Sequence, residues 1–205
     1  MKTIIEDGVI AGNYYPKYST RNPIARYLFN GFLQTIDTMV NSINPQKIVE
    51  VGCGEGHLIS RFANGTRVLS ASDFSNQVIE HARSLYPDNN IQFKAASIYD
   101  LSPETDSAEL VLCCEVLEHL EYPEKAVEIL AKLADPYLIT SVPNEPTWRI
   151  LNMLRGNYLK DLGNTPGHLN HWSKSSFTQL LEKRFSIQKV STPLPWTVLL
   201  CQVKK

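Results

Sequence analysis

Between residues 47 and 142 one alternation repeats along the chain, and it limits the fold more than any other feature. Short apolar runs, KIVEVG (47–52), RVLSASD (67–73), IQFKAAS (91–97), AELVLCCEV (108–116) and YLITSV (137–142), alternate with stretches of helical periodicity or loop. Helices are expected from about Gly56 to Ala63, over 75–86 with a stop at Pro87, and from near Pro123 to Leu133. Several of the runs are apolar throughout, the pattern of strands buried on both faces of a sheet. Strands separated by helices build a parallel sheet covered on both sides. After residue 142 a polar segment punctuated by Gly and Pro (143–171) precedes a helix over 173–184. SIQKVS and WTVLLCQV then lie close enough in sequence to pair antiparallel. The expected fold class is doubly wound α/β, a mostly parallel seven-stranded sheet with a C-terminal antiparallel hairpin.

Upstream, Ile24, Tyr27, Leu28, Phe32, Ile36, Met39, Val40 and Ile43 recur at threes and fours, predicting a helix over 23–43. Asn22 before Pro23 is a favourable cap followed by a favoured first-turn proline, and Asn44-Pro45 ends the helix. Residues 1–22 are aromatic and turn-rich, with Tyr14, Tyr15 and Tyr18 near Pro16. At 205 residues, with no repeat or linker, the chain reads as one domain over 1–205. Within it, 1–43 forms an N-terminal lid and helix and 143–172 an insertion. Lys plus Arg number 20 against 21 Asp plus Glu, so net charge exerts no general pull on nucleic acid or anionic membrane. Lys174, Lys183, Arg184 and Lys189 read as a solvated face. Cys53, Cys113, Cys114 and Cys201 show no CxxC spacing and fit buried thiols in a reducing cytosol. With no signal-peptide core and no apolar run of membrane-spanning length, a soluble cytoplasmic protein is expected.

In VEVGCGEGHL, Gly52, Gly54 and Gly56 follow a strand and open a helix. Glycines there let backbone approach a ligand and leave amides free at the helix start. The dinucleotide pattern G-x-G-x-x-G needs glycine at 57, where His57 stands, which counts against a pyrophosphate site. Asp73 ends the next strand, where a carboxylate can accept bonds from both ribose hydroxyls. Together these point to a nucleoside-containing cofactor. His57 and His81 read as structural.

VEVGCGEG resembles the first motif of class I S-adenosylmethionine-dependent methyltransferases. The resemblance continues through SASDFS, AASIYDL and AELVLCCEVLEHLEYPEKAVEIL, covering roughly residues 20–142. It implies a Rossmann-like fold, S-adenosylmethionine as cofactor and the small-molecule, ubiquinone-biosynthesis O-methyltransferase-like type. By that resemblance Glu50 organises the loop near the methionyl group. The backbone of Gly52, Cys53 and Gly54 faces the methionyl and ribose groups, and Asp73 holds the ribose. Phe74 packs on the adenine, Ser97 and Ile98 bound its amino edge, and Cys114 and Glu115 line the cofactor below the sulfonium. Family members often carry Asp where Ser97 stands. Tyr14, Tyr15 and Tyr18 could form a lid over the cofactor, and Trp148, Met153, Leu154 and Tyr158 in the insertion an apolar face that closes an acceptor pocket; the alternative is that the two segments simply bury each other. Arg149 and Arg155 read as surface residues rather than a grip for an anionic acceptor.

CEVLEHLEYP sets Glu115, Glu118 and His119 at i, i+3 and i+4, and TPGHLNHW offers His168 and His171. His168 and His171 are the candidate general bases for a hydroxyl acceptor. O-methylation of a small molecule, without a metal, is the expected reaction. An alternative is suggested by resemblance to small-RNA 2′-O-methyltransferases that use Glu-x-x-Glu-His and a later His. There Glu115, Glu118, His119 and His168 would hold a divalent ion. The chain lacks the basic surface or extra domain expected for gripping RNA. A nicotinamide oxidoreductase, disfavoured by His57, and a non-catalytic cofactor-binding module are the remaining alternatives.

Overall fold

The computed structural model describes residues 4–6, 9–11, 18, 20–63, 65–88, 90–154, 156 and 158–204. Tyr14, Tyr15 and Arg155 of the expectations above lie outside them. Residues Ile4–Glu6 and Val9–Ala11 pair as a small antiparallel ladder. The main sheet has seven strands: β1 (Lys47–Val51), β2 (Val68–Asp73), β3 (Ile91–Ala95), β4 (Ala108–Cys114), β5 (Ala134–Pro143), β6 (Phe185–Ser191) and β7 (Trp196–Val203). Their order is β3-β2-β1-β4-β5-β7-β6. The first five run parallel, and β7 enters antiparallel between β5 and β6, with Ile139 opposite Leu200. This is the Rossmann-like, doubly wound sheet with its C-terminal hairpin.

Successive residues of a strand point to opposite faces, and the apolar runs fill two cores accordingly. Ile48, Leu110 and Leu112 face one layer with Ile36, Met39 and Ile79. Val49, Val111 and Cys113 face the other with Leu130, Leu133, Phe177 and Phe185. The helices on the first face are α1 (Pro23–Ile43) and α2 (Asn76–Leu85); on the second they are α3 (Pro123–Leu133) and α5 (Lys174–Glu182). The Asn22 side chain caps α1, accepting from the amides of Ile24 and Ala25. Among the described residues no helix is long and apolar enough to cross a membrane.

Two expectations are revised. The helix expected over 56–63 is a single 3-10 turn, Ile59–Phe62. Gly52, Gly54 and Gly56 all take positive φ (73°, 53° and 77°), which holds the chain in turn geometry until after Gly56, and Gly65 at φ 81° follows closely. The insertion is also less loop-like than its composition suggests. It contains the helix α4 (Thr147–Leu154), whose Asn152 is buried.

Candidate functional site

β1 lies between β2 and β4, where the strand order reverses and an open α/β sheet forms its ligand crevice. Glu50, near the end of β1, is 3% exposed, and its Oε2 accepts from the Ile59 amide at 2.8 Å. That bond ties the first residue of the 3-10 turn to the sheet. Gly52 cannot be replaced without strain: a Cβ there would stand 2.3 Å from Cγ2 of Val116. A Cβ at Gly56 would stand 2.7 Å from the Phe93 ring. The glycines therefore let the turn press against the protein itself. Its amides are largely used internally. Those of Gly52 and Cys53 both donate to the Ser72 carbonyl (2.7 and 2.9 Å), and that of Gly56 donates to the Cys53 carbonyl. The expectation of amides left free for a ligand is corrected at these three positions.

The Gly54 amide donates to Asp73 Oδ2 at 2.9 Å, and Asp73 Oδ1 accepts from the Ser75 amide at 3.1 Å. Burial nonetheless raises the Asp73 carboxyl above its ordinary value, outweighing those bonds, with the nearby Glu55 charge adding to it. The Ala96 amide donates to the Asp73 carbonyl, bringing the end of β3 alongside. Ser97 there caps the Ile98–Asp100 turn through the Tyr99 amide, Ile98 is buried, and the Phe74 ring is 40% exposed. Glu50, Glu55 and Asp73 make this a crevice with three buried carboxylates. Such a wall repels a pyrophosphate. It suits a cofactor that presents ribose hydroxyls and a cationic amino-acid end, so the residues present fit S-adenosylmethionine.

Past β4 the sequence arithmetic only partly holds. Glu118 Oε, His119 and His168 bring one ligand atom each within 4.8 Å of one another. Glu115 is not among them. Its backbone is left-handed (φ 60°), and its carboxylate accepts from Ser141 Oγ at 3.0 Å and from Trp196 Nε1 at 2.7 Å. A residue in that conformation breaks the helical spacing on which convergence of all four depends. Glu118 is buried, whereas His119 is 41% exposed at its side chain. His119 donates from Nδ1 to the Gly167 carbonyl at 2.8 Å, since a carbonyl can only accept. Its Nε2 stands 4.0 Å from Glu118 Oε1. Burial, with His119 and His171 nearby, pushes the His168 imidazole down to about 3. His171 is exposed and bonded through Nε2 to Asn164 Oδ1 at 2.7 Å.

The insertion docks on this turn through backbone. The amides of Leu169 and Asn170 donate to the Glu118 carbonyl, and Asn170 Nδ2 donates to the Leu120 carbonyl at 2.6 Å. Its interior is built on Thr165, whose Oγ1 accepts from Trp148 Nε1 (2.9 Å) and Asn152 Nδ2 (3.2 Å). The Trp148 ring lies 5.9 Å from Trp196 and 6.1 Å from His168, while Met153 is half-buried and Leu154 exposed. Tyr158 is half-buried in the following turn. Ser141, Asn152, Thr165, Asn170 and Trp196 were invisible to sequence reasoning; each is polar or aromatic in a segment whose partner is distant in the chain.

Comparison with known proteins agrees with this geometry. The family model described as a methyltransferase domain matches residues 24–184. A curated relative, the ubiquinone biosynthesis O-methyltransferase of Coxiella burnetii (strain RSA 331 / Henzerling II), is 23% identical over 158 residues, 69% of this chain and 67% of that protein. Magnesium protoporphyrin IX methyltransferase from Synechocystis PCC 6803, solved with bound SAH, superposes with TM-score 0.68 at 21% identity over 91% of this chain and 90% of that one. The N-methyltransferase NodS from Bradyrhizobium japonicum WM9, in complex with S-adenosylhomocysteine, gives TM-score 0.68 at 17% identity over 94% of both. These structural likenesses carry the fold. With the family match over most of the chain, the protein belongs to the methyltransferase-domain family and is an S-adenosylmethionine-dependent enzyme of class I.

Proposed function

We propose that the protein methylates an oxygen atom of a small-molecule acceptor, with the reaction centred between the β4 crevice and the turn at Glu118 and His119. The observation that carries this reading is the gathering of Glu118, His119 and His168 under the docked insertion. S-adenosylmethionine supplies an electrophilic methyl carbon on a sulfonium when bound. The chain's own task is to align a nucleophile in line with that carbon and to take up its proton. Amines and thiols need little help with the proton; a hydroxyl needs a base.

His119 is the better-placed proton acceptor. Its Nδ1 is fixed on Gly167, which leaves Nε2 as the accepting atom, and the Glu118 carboxylate stabilises the imidazolium that forms. Burial pushes the His168 imidazole down to about 3, so near neutral pH it is an uncharged ring and a weak base, whose role would be to orient the hydroxyl. His171, committed to Asn164, serves the insertion. The ubiquinone-biosynthesis relative supports oxygen as the acceptor atom through its name, while the NodS neighbour is an N-methyltransferase.

A second reading is a divalent metal at the same place. His119 Nε2 and Glu118 Oε1 stand 4.0 Å apart, too long for a hydrogen bond and a spacing that a cation between them would fit, with His168 adjacent. Held there, the metal would lower the pKa of an acceptor hydroxyl. Mass-spectrometric detection of methyl transfer to matched phenol, alcohol and amine panels, with and without chelator, tests both. Transfer to hydroxyls that survives chelation supports the base, and chelator-sensitive transfer supports the metal. Transfer to amines alone contradicts the oxygen assignment.

A further inference from the structure

Tyr18 is half-buried although it belongs to the segment before α1. Its ring makes an edge contact with Phe29 of α1 (centroids 4.8 Å apart, planes at 88°) and lies on His57 (4.5 Å, 42°). His57 is the residue that ends the glycine turn. Its Nδ1 is bonded to the Tyr86 hydroxyl at 2.5 Å, just past the end of α2. His57 thus packs against one tyrosine ring at a tilt and holds another through its Nδ1. The position where a dinucleotide turn requires a third glycine is used here to fasten a side chain over the turn.

We propose that Tyr18 is a cofactor-binding residue that closes the methionyl end of the site, held over the glycine turn by a clasp of His57 and Tyr86. The inference rests on the S-adenosylmethionine assignment and adds to it a residue from the N-terminal segment. The ring packs against the core cluster that includes Cys53 of the glycine turn, and burial followed by the Glu50 and Glu55 carboxylates pushes the phenol up, which sets it beside the end of β1 and the turn that follows. A ligand ammonium or sulfonium held by Glu50 would lie near this aromatic ring, a neighbour that favours cations in a desolvated site. The adenosine end, at Asp73 and Phe74, lies along a different strand and needs nothing from Tyr18.

That division sets the test. S-adenosylhomocysteine carries the amino-acid end, and 5′-methylthioadenosine lacks it. Titration calorimetry of both against the intact protein and against Tyr18→Leu, Tyr18→Ala and His57→Ala reads the two ends separately. Tyr18→Ala and His57→Ala are expected to weaken S-adenosylhomocysteine about tenfold, and Tyr18→Leu somewhat less, while 5′-methylthioadenosine binds as before. Unchanged S-adenosylhomocysteine affinity in both Tyr18 variants overturns the proposal. So does equal weakening of the two ligands, since a merely structural role would move both. Failure of the unsubstituted protein to bind either ligand contradicts the cofactor assignment itself. His57→Phe keeps a ring beneath Tyr18 but loses the Tyr86 bond, and an intermediate loss is expected from it.

Discussion

The Gly54 amide and the Asp73 carboxylate meet at 2.9 Å, joining the glycine turn to the end of β2. One side chain thereby shapes the turn and presents a carboxylate to whatever lies against it. Because burial raises its pKa, Asp73 also makes the site sensitive to pH. A raised pKa in the folded state favours the protonated form there. Its contribution to stability is fully present below the ordinary value of about 3.9 and is lost as pH rises through the raised value. If Asp73 holds the cofactor ribose, binding has the opposite sign, since ribose hydroxyls would donate to the ionised carboxylate. The rise in melting temperature produced by S-adenosylhomocysteine should therefore grow as pH increases across that window. In Asp73→Asn it should be small and flat with pH, as differential scanning fluorimetry would show.

Gly52→Ala should destabilise the fold by about 2–4 kcal/mol, combining a left-handed backbone with overlap of the new Cβ on Val116. For a chain of this size that is a fall of roughly 5–15 °C in melting temperature. Adding Val116→Ala should recover part of it by relieving the overlap while leaving the backbone strain. No recovery would mean that conformation alone sets the cost.

The strands were legible because continuous apolar runs leave little choice, and α1 because Asn22-Pro23 marks its start. The position of Asp73 was legible because it ends the strand after the glycine turn, and its carboxylate does meet that turn at the Gly54 amide. Glu115 was not. Spacing at i, i+3 and i+4 suggests convergence with Glu118 and His119, but the left-handed backbone at Glu115 sends its carboxylate to Ser141 and Trp196. Trp196 is 81 residues away, and no local pattern announces such a partner. The turn's amides were misjudged for a similar reason, because the Ser72 carbonyl that takes two of them belongs to the next strand.

Trp196→Phe removes the donor to Glu115 Oε2 and keeps most of the packing on Phe32 and Trp148. Losing a charge-assisted bond from a part-buried carboxylate should cost about 1–3 kcal/mol in chemical denaturation. Ser141→Ala, acting on the other oxygen, should couple with it non-additively in a double-mutant cycle. Strict additivity would show that the two bonds do not position a common group.

Thr165→Val removes the one oxygen that takes both Trp148 Nε1 and Asn152 Nδ2. A loss of about 1–3 kcal/mol is expected from the stranded donors, together with faster proteolysis within 144–172. S-adenosylhomocysteine affinity should be unchanged, because the insertion does not build the crevice at Asp73. A matching loss of cofactor affinity would show the two regions to be one unit.

Whether Asp73 holds the ribose of S-adenosylmethionine is tested most directly by calorimetric titration of S-adenosylhomocysteine into the intact protein and Asp73→Ala. The expected result is a one-to-one complex with the intact protein and affinity reduced roughly 10- to 100-fold in Asp73→Ala, the loss of a pair of charge-assisted bonds at about 1.5–3 kcal/mol. No binding by the intact protein, or equal affinity in the two, would contradict it.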